Sequence, residues 1–301
     1  AQGEGISFSV EDKLAVARLL DGLGVAFIEA GNPGSNPKDL EFFRRAGELK
    51  LRNSRLVAFG STRRKGIRAE EDANVQALLT AGTDAVALFG KCWDLHVRDI
   101  LQTTEEENFA MIADTVAFFK KKGRRVIFDA EHFFDGYKAN PPSAMKALEA
   151  AADAGADVLT LCDTNGGAFP QEVYDITRAV AERFGATVGI HTHNDGGMAV
   201  ANSIMAVSAG AAHVQGTYLG FGERSGNANL STIIPNLQLK LGYACIPQDN
   251  MPLLTATARS MAEVANIRLG RGEPYVGPSA FAHEAGMHAD GVLKNSSSFE
   301  H

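Results

Sequence analysis

The sequence predicts an α/β fold: a (β/α)8 TIM barrel lacking its first strand in this chain, followed by part of a C-terminal helical linker subdomain. Short apolar, β-branched runs alternate with longer amphipathic ones along most of the 301 residues, as repeated βα units require. Polar residues (Glu29, Ser61, Lys91, Glu131, Asp163, His191 and Glu223) follow nearly every apolar run. They would collect at one end of a parallel sheet, which suits the C-terminal face of a closed barrel better than the single crevice of an open doubly wound sheet.

The strand candidates are residues 25–30, 56–60, 85–89, 126–129, 158–162, 187–190 and 214–219. Helical stretches fall between them at 12–23, 37–50, 69–81, 104–121, 142–154, 170–184, 198–209 and 230–241. The first carries Leu14, Leu19 and Leu20, with Ser9 as its N-cap. Pro37, Pro142 and Pro170 open three others, where a fixed φ suits the first turn. A closed barrel needs one more strand, expected just before Ala1. Beyond Leu241 come an Ala-rich helix at 253–267 and a Gly/Pro-rich linker at 270–278. The division expected is a barrel over 1–243 and a partial linker subdomain over 244–301, with both ends read as cut.

The net charge of −7 and the lack of a dense Lys/Arg stripe argue against nucleic acid as a partner. Arg63-Arg64-Lys65 reads as a solvated loop. No run of about 18 apolar residues offers a membrane span, and no signal peptide is visible. Cys92, Cys162 and Cys245 are distant and odd in number. They point to a reducing, cytoplasmic setting without a disulfide framework.

The chemistry centres on His191-Thr192-His193-Asn194-Asp195 at the end of an apolar run. Alternate strand residues share a face, so His191 and His193 point together as half of a divalent-metal site. The following strand runs into Gly220-Phe221-Gly222-Glu223-Arg224-Ser225-Gly226-Asn227, whose glycines let the backbone turn into the barrel mouth. Asn227 can offer a carbonyl oxygen there. A hard cation also wants a carboxylate, and its natural source is the absent strand. Asp129 and Glu131 share a face at another strand end, and Asp163-Thr164 ends the next; a carboxylate there can act as base and the Thr hydroxyl can bind a substrate carboxylate. His283 and His288 lie five apart on the appendage and do not form a second metal pair.

Each feature also has a structural reading. A His-x-His can be a hydrogen-bonded core pair. Asn194-Asp195 can cap a helix, Glu223 and Arg224 can form a buried ion pair, Asp163 can organise a turn, and Trp93 can simply pack. Convergence of so many strand ends favours a site.

The two motifs together resemble those of the metal-dependent barrel family that contains isopropylmalate, homocitrate and citramalate synthases and hydroxymethylglutaryl-CoA lyase. The resemblance covers essentially the whole chain. Within the family the citramalate synthase branch is most similar, through Asn32-Pro33-Gly34-Ser35-Asn36-Pro37-Lys38-Asp39, Phe89-Gly90-Lys91-Cys92-Trp93-Asp94-Leu95-His96, Asp129-Ala130-Glu131-His132-Phe133-Phe134-Asp135-Gly136-Tyr137 and the stretch 229–243. The resemblance implies Claisen-type condensation of acetyl-CoA with pyruvate, giving (R)-citramalate and CoA for isoleucine synthesis. It implies His191, His193 and Asn227 as metal ligands, Glu131 and His288 as catalytic residues, and Thr164, Gln2 and Glu29 near substrate. The metal implied is Mg²⁺ or Mn²⁺, with Zn²⁺ the alternative, and the full-length enzyme is expected to be a homodimer. The same-fold alternative is isopropylmalate or homocitrate synthesis from another 2-oxo acid.

Two departures bear on this. The family's first strand ends in an Arg-Asp pair immediately before the position of Ala1, and neither residue is in this chain. The family often carries Tyr where Phe299 stands. A reading of another class follows: a catalytically silent barrel that binds metal or carboxylate only weakly.

Overall fold

The computed structural model describes Gly3 and residues 5–299. Helix α1 (Val10–Leu23) leads into β1 (Phe27–Glu29), α2 (Pro37–Arg45), β2 (Arg55–Ser61), α3 (Ala73–Thr80) and β3 (Ala85–Lys91). Then come α4 (Asp94–Asp99), α5 (Glu105–Lys121), β4 (Arg125–Glu131), α6 (Phe133–Ala139), α7 (Pro141–Asp153) and β5 (Val158–Asp163). The barrel part ends with α8 (Pro170–Arg183), β6 (Thr187–Thr192), α9 (Ala199–Ser208), β7 (His213–Gln215) and α10 (Leu230–Pro235). All seven strands form one parallel sheet in sequence order, β1 to β7. This is the curled sheet of a TIM barrel without the strand that would precede α1.

Period-two alternation divides each strand between two environments. Ala58, Val86, Leu88, Val126, Phe128, Leu159, Leu161, Val188 and Ile190 face outward and pack under helix residues such as Leu78, Ile112, Phe119, Leu148 and Val173. Val57, Ala85, Ala87, Ile127 and Val158 face inward and fill the lumen with Phe27 and Phe59. At the lumen floor, His213 lies 5.9 Å from the Phe27 ring and Arg125 sits 5.5 Å over the same ring. Towards the C-terminal strand ends the inward positions turn polar, at Glu29, Asp129, Glu131, Thr160, His191 and Gln215.

Local rules account for most element ends. Ser9 and Asp12 form a capping box on α1, and Asn36, Asp72, Thr104 and Asn140 cap α2, α3, α5 and α7. The strand expected at 214–219 is shorter: pairing stops at Gln215, because Thr217 bridges instead to Asn229 and Leu219 turns to φ +66°. The helix expected at 230–241 changes to a π-helical segment at Asn236–Lys240. Helices α4 and α6 were not expected; they are too short to show a helical period.

The basic stretch after β2 corrects another expectation. Arg63 is only 6% exposed and pairs with Glu107 and Asp114, both at 2.8 Å. Arg64 reaches the fully buried Asp72 at 3.1 Å. Glu107 and Asp114 come from α5, distant in sequence, while Asp72 is the nearby cap of α3.

After α10, helix α11 (Leu254–Val264) packs against α1 through Leu23, Met251, Leu254, Ala258 and Met261. Tyr218 donates to the Leu254 carbonyl at 2.7 Å. Helix α12 (Gly286–Lys294) has no buried residue, and its Met287 and Leu293 are each 85% exposed. Among the described residues no helix is long and apolar enough to cross a membrane.

Burial, and then the Arg125 charge, depress the His213 imidazole from 6.5 to about 4. The unfolded chain therefore binds more protons than the folded one between those values, and stability falls as pH drops from 6.5 towards 4. The His213→Gln variant should show a flatter decline of unfolding midpoint across that window. A parallel decline in both proteins would contradict this account.

Candidate metal and active site

His191 pairs with Gln215 in the β6–β7 register, and the strand's alternation brings His193 to the same side. Their Nε2 atoms lie 3.3 Å apart. Beyond β6 the backbone is held by the glycine-rich loop after β7: Asn194 N–H donates to the Gly226 carbonyl at 2.9 Å, and Ala228 N–H donates to the Thr192 carbonyl at 3.0 Å. His193 and Asn227 thereby form an isolated antiparallel bridge. Gly226 sits at φ +92°, a left-handed conformation that favours glycine. A Cβ on Gly222 would come within 2.7 Å of Asn227 Nδ2.

This splice sets three donors side by side. Asn227 Nδ2 donates to the Phe221 carbonyl at 3.2 Å, which directs Oδ1 the other way. Asn227 Oδ1 is buried with no hydrogen-bond partner, as is His193 Nδ1, and a buried carbonyl oxygen is costly to leave unpaired. Two nitrogens each about 2.1 Å from one ion stand roughly 3.0–3.4 Å apart, a span that includes the observed separation. Burial, and then the neighbouring His193, depress the His191 imidazole to about 4. Burial and the Arg224 charge lower that of His193. Both rings are neutral at neutral pH and can act as ligands. The residues fit a divalent ion, with one element missing. Among the described residues no group of three or more His, Cys, Asp or Glu gathers, so the expected carboxylate ligand is not among them.

Behind His191, Gln215 Oε1 meets Nδ1 at 2.9 Å, and Gln215 Nε2 donates to Asp129 Oδ1 at 2.8 Å. Sequence reasoning missed Gln215 altogether and placed Asp129 only as a strand-end carboxylate sharing a face with Glu131. The signal was available: Gln215 is the polar inward residue of the strand next to the His-x-His strand. Burial pushes the Asp129 carboxyl up to about 7, against hydrogen bonds from Gln215 and Thr160. Glu29 also enters the lumen, and burial among protein atoms followed by the Asp129 charge raises its carboxyl. Its side of the lumen is open to water, which screens both effects.

Glu131 ends β4 with Oε2 2.7 Å from Lys91 Nζ. Thr164 Oγ accepts the His132 N–H at 2.9 Å, leaving the hydroxyl proton to donate elsewhere. His132, at φ +54°, is 3.1 Å from Asp135 through Nδ1. Its ring meets His96 edge-on at 4.4 Å, and Trp93 stacks on His96 at 4.9 Å, so Trp93 packs as expected.

Neighbouring polar residues mostly organise the loops. Asp163, 1% exposed, accepts from the Gly167 and Ala168 amides at 3.2 Å each. Asn194 Oδ1 accepts from Ala199 N–H at 3.2 Å at the start of α9. Asp195 does not cap that helix; it takes Arg224 in a bidentate pair at 2.7 and 2.9 Å. The ion pair expected between Glu223 and Arg224 is thus replaced, because Arg224, at φ +53°, turns across to the β6 loop and also donates to the Thr164 carbonyl at 2.7 Å.

His191, His193 and Asn227 come together, with Glu131 and Thr164 at neighbouring strand ends and Glu29 in the lumen. His288 does not join them. It is exposed on α12, and its ring neighbours are Phe299 at 5.3 Å and His283 at 6.3 Å. Gln2 lies outside the described residues.

Comparison with known proteins identifies the family and the fold. The HMGL-like family model matches residues 1–258, and the model described as homocitrate synthase post-HMGL domain-like matches 275–301. The chain is 56% identical to (R)-citramalate synthase of Aquifex aeolicus, over all of this chain and 57% of that protein. It is 52% identical to (R)-citramalate synthase of a Synechocystis species, over all of this chain and 56% of that protein. A 2-isopropylmalate synthase of Pyrococcus furiosus is 33% identical over 99% of this chain and 59% of its own length. The chain therefore spans a little over half the length of the curated relatives it matches. In fold it is similar to a Bacillus subtilis HMG-CoA lyase, with TM-score 0.71 at 20% identity, over 88% of this chain and 89% of that one.

A Gly222→Ala variant should turn the Asn227 carboxamide aside and weaken Mn²⁺ binding about tenfold, the lower end of what a misoriented ligand costs. A Mn²⁺ titration checks it; unchanged affinity would remove Asn227 from the ligand set.

Proposed function

The chain belongs to the HMGL-like family, and from that premise we propose that it forms the catalytic barrel of a citramalate synthase. The reaction would be a Claisen-type condensation of acetyl-CoA with pyruvate, followed by thioester hydrolysis. The observation that carries this reading is the convergence of His191 and His193 with the unpartnered Asn227 oxygen, in a chain about half identical to several (R)-citramalate synthases. The barrel would occupy 1–243 and the linker subdomain would begin at 244.

A divalent ion held by His191, His193 and Asn227 would polarise the 2-oxo group of the substrate as a Lewis acid. The free proton of the Thr164 hydroxyl is suited to donate to the substrate carboxylate. Glu131, held at the end of β4 by Lys91 at 2.7 Å, would serve in proton transfer at the acetyl methyl group. His288 would join from the acetyl-CoA side, in an arrangement of the appendage that brings α12 over the mouth. Glu29 would line the lumen beside Asp129. We propose Mg²⁺ or Mn²⁺ as the metal, since the completed site would combine imidazole and oxygen donors. The proposed setting is a cytoplasmic homodimer.

Selectivity for a short 2-oxo acid is supported by the stacked rings of Phe59 and Phe89, 5.1 Å apart on adjacent strands. Phe89 pairs in register with Asp129, so these rings narrow the lumen at the depth of the polar groups. Longer 2-oxo acids would need that volume.

CoA release from acetyl-CoA by the full natural polypeptide, compared across pyruvate, 2-oxoisovalerate and 2-oxoglutarate, tests the assignment. Pyruvate should be turned over best; good turnover of another acid with none on pyruvate would overturn the substrate assignment. Phe89→Ala should shift relative kcat/KM towards 2-oxoisovalerate by about 10-fold or more, the scale set by one or two methylenes in an apolar pocket.

A further inference from the structure

We infer that Gln215, held by Asp129, is a positioning residue that fixes His191 as its Nδ1–H tautomer and so turns the bare Nε2 towards the ion site. The inference rests on reading His191, His193 and Asn227 as the ligands of a divalent ion, and it adds a residue outside that set.

The logic runs across four adjacent strands. Asp129 on β4 pairs in register with Thr160 on β5, and His191 on β6 pairs with Gln215 on β7. All four side chains project into the lumen. A carboxamide has two donor hydrogens on one side and only acceptor lone pairs on the other. The Gln215 amino group is directed at Asp129 Oδ1, 2.8 Å away, and at Thr160 Oγ1, 3.4 Å away. With Asp129 as the carboxylate that both Gln215 and Thr160 stabilise by donating to it, reversing the amide would set oxygen against oxygen at hydrogen-bond distance, which is repulsive. The oxygen therefore faces His191 Nδ1 at 2.9 Å. An oxygen only accepts, so Nδ1 must carry the hydrogen. A neutral imidazole has one hydrogen, and Nε2 is left as a lone pair, 3.3 Å from His193 Nε2. Asp129 is 5% exposed and Thr160 fully buried, so water offers little competition for either partner. An acceptor oxygen behind a ligating imidazole fixes its tautomer and orients its ring, and here that oxygen is itself held by Asp129 through the Gln215 amide.

The test uses the full natural polypeptide and Mn²⁺ alone as probe. Gln215→Leu should weaken Mn²⁺ binding by about 10–100-fold, the usual effect of removing the group that orients a ligating His. The metal-free variant should stay folded with a lower melting temperature, because Asp129 loses the Gln215 donor and keeps Thr160. Nitrogen-15 NMR of the metal-free parent, with His191 assigned by its loss in His191→Gln, should report the Nδ1–H tautomer; this measurement needs no altered relay. Mn²⁺ affinity in Gln215→Leu within twofold of the parent, or an Nε2–H tautomer in the parent, would overturn the inference. His191→Ala separates it from the reading beneath. If that variant loses Mn²⁺ while Gln215→Leu keeps it, only the relay falls; if it binds as the parent does, the ion site itself falls.

Discussion

The candidate site depends on one backbone splice. The loop after β7 returns to the end of β6 and continues its hydrogen bonding, with Asn194 and Ala228 amides donating to Gly226 and Thr192 carbonyls. Without it, His193 would lie on a free strand end and Asn227 in a free loop. With it, the two residues are bridge partners, and their separation is set by backbone geometry rather than by side-chain attraction. The close approach requires residues without a Cβ at Gly222 and Gly226, which explains the density of glycine between positions 220 and 226. A ligand pair built this way retains its spacing before any ion binds, so binding need not order a loop.

The charge distribution follows from burial. The groups that face one another at the centre are two neutral imidazoles and a carboxamide, while the carboxylates stand one layer behind or on neighbouring strands. A buried carboxylate is costly unless hydrogen-bonded or paired. Asp129 meets that condition through Gln215 and Thr160, and Glu131 through Lys91. Glu29 is exposed and open to water instead. The lumen thus changes from an apolar floor around Val57, Ala85 and Ile127 to a polar mouth within one strand length. Strand alternation alone produces this, because every second residue must face inward whatever its chemistry.

Much of this was legible from residues alone. The repeating βα pattern predicted the parallel sheet, and the His-x-His and glycine-rich motifs predicted three convergent donors. Contacts distant in sequence were not legible. Arg63 looks solvated until α5 brings Glu107 and Asp114 to it. Arg224 looks paired with its neighbour Glu223 until its left-handed backbone aims it at Asp195. Gln215 is an unremarked polar residue until register sets it beside His191. In each case the sequence states the side chain's chemistry, while its partner is chosen by the fold. The shortened β7 has a similar cause, since competition from the returning loop ends a run that its β-branched and aromatic residues would otherwise have continued.

The two halves of the proposed chemistry are held very differently. Arg224 joins three strand-end loops at once, binding Asp195 after β6 and the Thr164 carbonyl after β5 from its own position after β7. An exposed ion pair of this kind contributes about 1 kcal/mol or less to stability, so its value lies in registration: it couples the residue suited to bind the substrate carboxylate to the loops that carry His193 and Asn227. By contrast, α12 buries none of its residues, and its His288 meets the rings of Phe299 and His283 in the same appendage. In the proposed reaction a 2-oxo acid would meet donors already held in place, whereas the acetyl-CoA side would need α12 moved or covered. Such a division favours binding the electrophile first, because the enolate is generated safely only when its acceptor is already in place and water has been excluded.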